Sequence, residues 1–160
     1  MGLFKKKSDE QLIAEAKEKI STDHSVIIDI PVGKHGADEV VAGAMIGETG
    51  KLIAMSKYGK TKWEKVYLQV FDEGLRINYI DFQCPYDQLI NIEEIKTGWL
   101  DTEAIMHTKF GDLGFKIYKI DYSAFIELIG ELKESYLQKV EANEKQLEIE
   151  KQQEDRKSVV

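Results

Sequence analysis

Along residues 63–120 apolar side chains recur at every second position, in short runs broken by turn-forming residues. Val66, Leu68 and Val70 alternate with Tyr67, Gln69 and Phe71, and after Asp72-Glu73-Gly74 the alternation resumes over Leu75-Arg76-Ile77-Asn78-Tyr79. A period of two predicts half-buried strands, here joined as a hairpin. Gly74 is read as the residue that takes a positive φ in the short loop. Pro85 marks a corner, because proline cannot donate to a central ladder, and Leu89, Ile90 and Ile92 begin the next strand. Ile95 falls out of phase with them, which predicts a bulge or the strand's end. Residues 104–110 and 115–120 read as a last hairpin around a four-residue loop, Gly111-Asp112-Leu113-Gly114. An earlier run at residues 24–30, ending at Pro31, and a short piece at 82–86 bring the expected total to about seven strands.

Beyond Asp121 the period changes to about 3.6. Phe125, Leu128, Ile129, Leu132 and Tyr136 fall on one helical face, with Glu127, Glu131, Lys133 and Glu134 on others. Near the start, Ser8-x-x-Gln11 forms a capping-box pattern ahead of Leu12, Ile13, Ala16 and Ile20. No helix-length segment separates the strands, which excludes a parallel sheet with right-handed crossovers there. The expected fold class is therefore mainly β with α: a curved antiparallel sheet or barrel of about seven strands, closed by a C-terminal helix and preceded by an N-terminal helix. The chain divides into an N-terminal arm and helix (1–22), a sheet domain (23–140) carrying an insertion (32–62), and a charged helical or disordered tail (141–160).

The run Tyr67-Leu68-Gln69-Val70-Phe71-Asp72-Glu73-Gly74-Leu75-Arg76-Ile77, followed by Cys84-Pro85-Tyr86-Asp87-Gln88-Leu89-Ile90-Asn91-Ile92-Glu93 and then by Phe115-Lys116-Ile117 and Phe125, resembles the prokaryotic pleckstrin-homology-like (PH-like) domains. The likeness covers residues 24–137 and includes the step "proline-tyrosine, two residues, apolar" into a strand. It implies a scaffold that binds rather than converts. It also directs attention to the insertion, because in many eukaryotic PH domains the loop between the first two strands grips phosphoinositide head groups.

Here that loop ends in Lys57-Tyr58-Gly59-Lys60-Thr61-Lys62-Trp63-Glu64-Lys65. Lys57, Tyr58, Lys60, Lys62, Trp63 and Lys65 are thus the candidate ligand- or membrane-contact residues, a lysine and aromatic mixture suited to an anionic surface. Asp72 and Glu73 on the tightest hairpin and a net charge of −7 oppose a specific inositol phosphate site and nonspecific anion binding, nucleic acid included. The expected partners are a protein segment or a second copy of the chain, with an anionic lipid surface as the alternative.

Other chemistry is sparse. Gly47-Glu48-Thr49-Gly50-Lys51 lacks the glycine at 45 and the serine or threonine at 52 that a phosphate loop needs. His24, His35 and His107 are far apart without metal-ligand spacing, and no Gly-x-Ser-x-Gly elbow occurs. His107 reads as a strand-surface histidine, and Glu93-Glu94 as solvated edge charges. No catalytic residue, metal or cofactor is expected. The single cysteine, Cys84, permits no internal disulfide and reads as a small packed residue. The longest apolar run, at 40–47, is far short of a membrane span, and Met1-Gly2-Leu3-Phe4-Lys5-Lys6-Lys7 fits neither a signal peptide nor a myristoylation site. A cytoplasmic protein is expected, peripheral at the inner membrane face in the alternative reading. In the tail, Leu132, Tyr136, Val140, Asn143 and Leu147 step by threes and fours, a seam only about two heptads long.

Overall fold

The computed structural model describes residues 7–32 and 62–157. Helix α1 (Asp9–Asp23) begins at the expected capping box: the Ser8 hydroxyl accepts from the Gln11 backbone N–H, and the Gln11 side chain accepts from the Ser8 N–H. It ends at His24, whose φ of 55° places it in the left-handed region. The His24 carbonyl then accepts from the Val70 N–H at 2.8 Å, fixing the chain's entry into the sheet.

Among the described residues seven antiparallel strands follow: β1 (Ser25–Val32), β2 (Lys62–Val70), β3 (Gly74–Ile77), β4 (Phe82–Pro85), β5 (Leu89–Thr97), β6 (Asp101–Thr108) and β7 (Gly111–Tyr118). Their order in the sheet is β4-β3-β2-β1-β7-β6-β5. The two outermost strands, β4 and β5, are consecutive in sequence and joined by only Tyr86-Asp87-Gln88. The sheet must therefore bend until its edges meet at that corner, yet no ladder joins them. It is a curved open sheet and not a closed barrel.

Three local expectations are corrected. Gly74 is not among the residues with positive φ. Its glycine is required by close approach instead, since a Cβ there would lie 2.4 Å from the Cys84 carbonyl oxygen and 2.7 Å from Pro85 Cα. The last hairpin has a two-residue turn, Lys109-Phe110, and residues 111–114 belong to β7. Gly111, with φ 144°, supplies the unusual conformation, and the Thr108 hydroxyl closes the turn by donating to the Gly111 carbonyl at 2.6 Å. The strand expected to stop at Pro31 continues through it to Val32. The phase slip at Ile95 is a register shift between Glu94 and Lys96, as the alternation required.

The bend gives the sheet an inner and an outer face. Val26, Ile28, Ile30, Val66, Leu68, Leu75, Ile77, Met106, Phe115 and Ile117 point inward and are buried. Helix α2 (Lys119–Lys157) covers them with the predicted stripe, burying Phe125, Leu128 and Ile129 and packing Leu132 and Tyr136 against the same core. Phe125 meets Phe115 edge-on at 6.3 Å, and Tyr136 meets Tyr86 edge-on at 6.0 Å. The fully buried Tyr86, the tyrosine of the proline-tyrosine step, donates its hydroxyl to the Phe71 carbonyl at 2.6 Å and so ties the β4–β5 corner to the β2–β3 turn. Helix α1 lies along α2, with Lys17 and Glu131 paired at 2.5 Å.

From Glu141 to Glu154 the side chains of α2 are exposed to solvent, and the tail is helical up to Lys157. The expected Glu141–Lys145 pair forms at 3.3 Å. Within the seam, Leu132 and Tyr136 are spent on the chain's own core, while Asn143 and Leu147 stay exposed.

Candidate functional site

The sequence placed the candidate contacts at six residues. Lys57, Tyr58 and Lys60 lie outside the described residues, as does the side chain of Lys62, whose backbone opens β2. Trp63 and Lys65 stand two apart on β2 and so share the outer face. Their neighbours there are acids and another lysine. Lys65 Nζ lies 3.8 Å from Asp29, its cross-strand partner, and Lys116 Nζ sits 4.3 Å over the Trp63 ring while reaching Glu103 at 3.4 Å. These two residues form part of a mixed-charge cluster on the sheet rather than a free basic claw.

The polar phase of the outer face holds what the sequence reading passed over. Tyr67, Ile27 and Tyr118 are all exposed, Tyr67 at 65%. Tyr67 pairs with Ile27 in the β1–β2 register. Continuing the Asp29–Lys116 register two residues along sets Ile27 beside Tyr118. Across from Tyr118 stands Asp101, and beyond it the β5–β6 hairpin tip carries Trp99, 92% exposed, and Leu100, 58% exposed. Gly98 closes this two-residue tip by donating to the Asp101 carbonyl at 2.8 Å, and Lys119 N–H holds the Leu100 carbonyl at the same distance. A signal existed in the sequence: large aromatics occupy positions that alternation assigns to solvent, and a Trp-Leu dipeptide occupies a turn.

Beside this row runs a trough of about 670 Å³. Lys65, Tyr67 and Gln69 of β2, with Phe71 just past its end, form its floor, Asp23, His24 and Ser25 one wall, and Asn78 and Tyr79 the other. His24 stacks on Phe71 with ring centroids 6.5 Å apart. Gln69 Oε1 is buried and has no hydrogen-bond partner.

On the far half of the outer face, His107 lies between two carboxylates, with Nδ1 2.9 Å from Asp112 and Nε2 2.7 Å from Glu93. Burial alone would lower its pKa, but the hydrogen bonds to Glu93 and Asp112 outweigh burial and raise it. His107 is on the strand surface as expected, whereas Glu93 is its partner and not a merely solvated charge. The two carboxylates bind opposite ring nitrogens, so the three groups share no common point. Among the described residues no group of three potential ligands is placed to hold a metal.

Cys84 is buried, and burial, reinforced by Asp87, pushes its thiol up to about 11. It is a packed residue, not a nucleophile. Among the described residues no helix is long and apolar enough to cross a membrane. No protein-family model matches the chain, and none of the curated proteins matches it either.

Proposed function

We propose that this chain is a non-catalytic PH-like binding or assembly module of the cytoplasm that docks a protein partner, or a second copy of itself, on the outer face of its sheet. The observation that carries the proposal is the cluster of exposed apolar side chains Tyr67, Ile27 and Tyr118, with Trp99 and Leu100 at the nearby β5–β6 tip, which no element among the described residues covers. Contiguous exposed apolar surface marks interaction sites, and tryptophan and tyrosine are the side chains that most often dominate interface energies. The curved antiparallel sheet with its C-terminal helix supports the PH-like part of the reading. The anionic-surface alternative draws nothing from the described residues, because Lys65 and Lys116 are matched by Asp29 and Glu103.

The test combines sedimentation across a concentration series with photo-crosslinking from positions 67, 99 and 118 of the full chain in cells. A discrete adduct, to another protein or to a second copy, is expected from at least two of the three positions. A strictly monomeric chain that yields no adduct from any of them contradicts the proposal. Repeating the sedimentation on a chain ending at Val140 separates a contribution of the tail helix from that of the sheet.

A further inference from the structure

The trough along β2 differs from the rest of the outer face in shape, polarity and charge. Its floor spans Lys65 to Phe71, six residue steps of an extended strand or about 20 Å. That length accommodates an extended segment of about six residues lying along the sheet. Tyr67 and Phe71 stand four residues apart with Gln69 between them, and Tyr79 rises from the wall, so apolar surface alternates with polar surface along the floor. An extended peptide presents side chains to one side with the same alternation.

Two side-chain amides, Gln69 and Asn78, line the trough. An amide side chain offers both a donor and an acceptor, the complement of a backbone peptide unit. Of the two, Asn78 is exposed and open to such a unit, whereas Gln69 Oε1 is buried beneath the surface and out of its reach. At the end nearest His24 the wall carries Asp23, which forms no ion pair among the described residues. Lys65 at the opposite end is matched by Asp29. The unmatched charge of the trough is therefore negative, in agreement with the chain's net charge of −7.

Resting on the interaction-module reading, we infer that this trough holds an extended peptide segment of a partner protein. The segment sets apolar or aromatic side chains on Tyr67, Phe71 and Tyr79, meets the Asn78 amide with a backbone peptide unit, and directs a lysine or arginine toward Asp23. Exposed aromatic rings also favour such a cation when it passes over their faces.

The probe is a library of random linear 12-residue peptides selected on the full-length chain, with enriched peptides measured by fluorescence anisotropy. Enriched sequences are expected to place a basic residue next to apolar residues at alternate positions. Tyr67→Ser and Phe71→Ser should each weaken binding about tenfold or more, as loss of an aromatic anchor does. Asp23→Asn should weaken it about threefold and flatten its salt dependence. Lys139→Ser, exposed on α2, should leave it unchanged, Trp99→Ser is measured beside it, and the unfolding midpoint of each variant confirms that it folds.

Failure to enrich any peptide overturns the inference, as do enriched peptides that bind Tyr67→Ser and Phe71→Ser as well as they bind the parent chain. Self-association abolished by those two substitutions would assign the trough to a second copy and likewise reject the peptide. Peptides that depend on Trp99 instead would reject the trough while leaving the interaction-module reading in place. No peptide, no self-association and no crosslink together would remove both.

Discussion

The two faces of one sheet carry similar kinds of residue and treat them differently. On the inner face Phe115, Leu68 and Ile30 are completely covered by α2 and their own neighbours, whereas on the outer face Tyr67, Ile27 and Tyr118 are 65%, 44% and 49% exposed. Ile105, between Glu93 and Gly114, is the buried exception on that side. Strand alternation alone makes a face, but only a covering element makes a core. Among the described residues α2 covers one face, and no element covers the exposed aromatic side chains of the other.

The sheet's margins sharpen the contrast. Edge strands invite indiscriminate pairing, and both are guarded here. β4 has four residues and ends at Pro85. β5 is kinked at Ile95, and Lys133 of α2 donates to the Leu89 carbonyl at 2.5 Å and to that of Ile90 at 3.4 Å. Both edges are thereby guarded against strand addition, which under the proposed function leaves the outer face for docking.

If the inner face carries stability, its disruption gives the largest effect. Phe125→Ala removes the fully buried ring that meets Phe115 and should cost about 3–5 kcal/mol in denaturant unfolding. A loss below 1 kcal/mol would show that α2 does not seal the core. Gly74→Ala should cost about 2–3 kcal/mol, because its Cβ meets β4 backbone rather than a movable side chain. A neutral result in the same unfolding experiment would reject the close approach. Tyr86→Phe keeps the packing and deletes the bond to Phe71 O, for a loss of about 1–2 kcal/mol.

The smallest effect belongs to the polar part of the outer face. Because the folded-state pKa of His107 is raised, its contribution is fully present below the unfolded value of about 6.5 and is lost as pH rises through the folded value. The parent chain should therefore exceed His107→Gln by up to about 1 kcal/mol at pH 5.5 and by less at pH 8.5. An equal gap at both pH values, measured by chemical unfolding, would show that the Glu93 and Asp112 contacts do not bind the proton.

Much of the fold was legible because period two and period 3.6 are strong signals when turns separate them cleanly. The capping box at Ser8, the hairpin at residues 72–74, the slip at Ile95 and the Phe125 stripe each follow from local chemistry. The last hairpin was misplaced because Gly111 and Gly114 suggest a loop, while the tighter turn at Lys109-Phe110 depends on a single φ at Gly111 and on the Thr108 hydroxyl. The role of Gly74 was misread for a related reason: close backbone approach is a property of the β3–β4 pairing, invisible in residues 72–74 alone.

The site was less legible. Charge and aromatic composition drew attention to residues 57–65, but whether a lysine is free depends on cross-strand neighbours such as Asp29, which sequence does not align with Lys65. The His107, Glu93 and Asp112 cluster joins three strands through register. The trough likewise needs the turn after Ile77 to bring Tyr79 beside β2.

The central claim is that the outer aromatics serve docking and not folding. It is tested most directly by chemical unfolding of the double variant Tyr67→Ser, Phe71→Ser, with anisotropy of a selected peptide measured on the same sample. The account predicts a stability within about 0.5 kcal/mol of the parent chain, as for exposed positions generally, together with loss of peptide binding. A fall in stability approaching that of Phe125→Ala, with binding retained by the folded fraction, would contradict it.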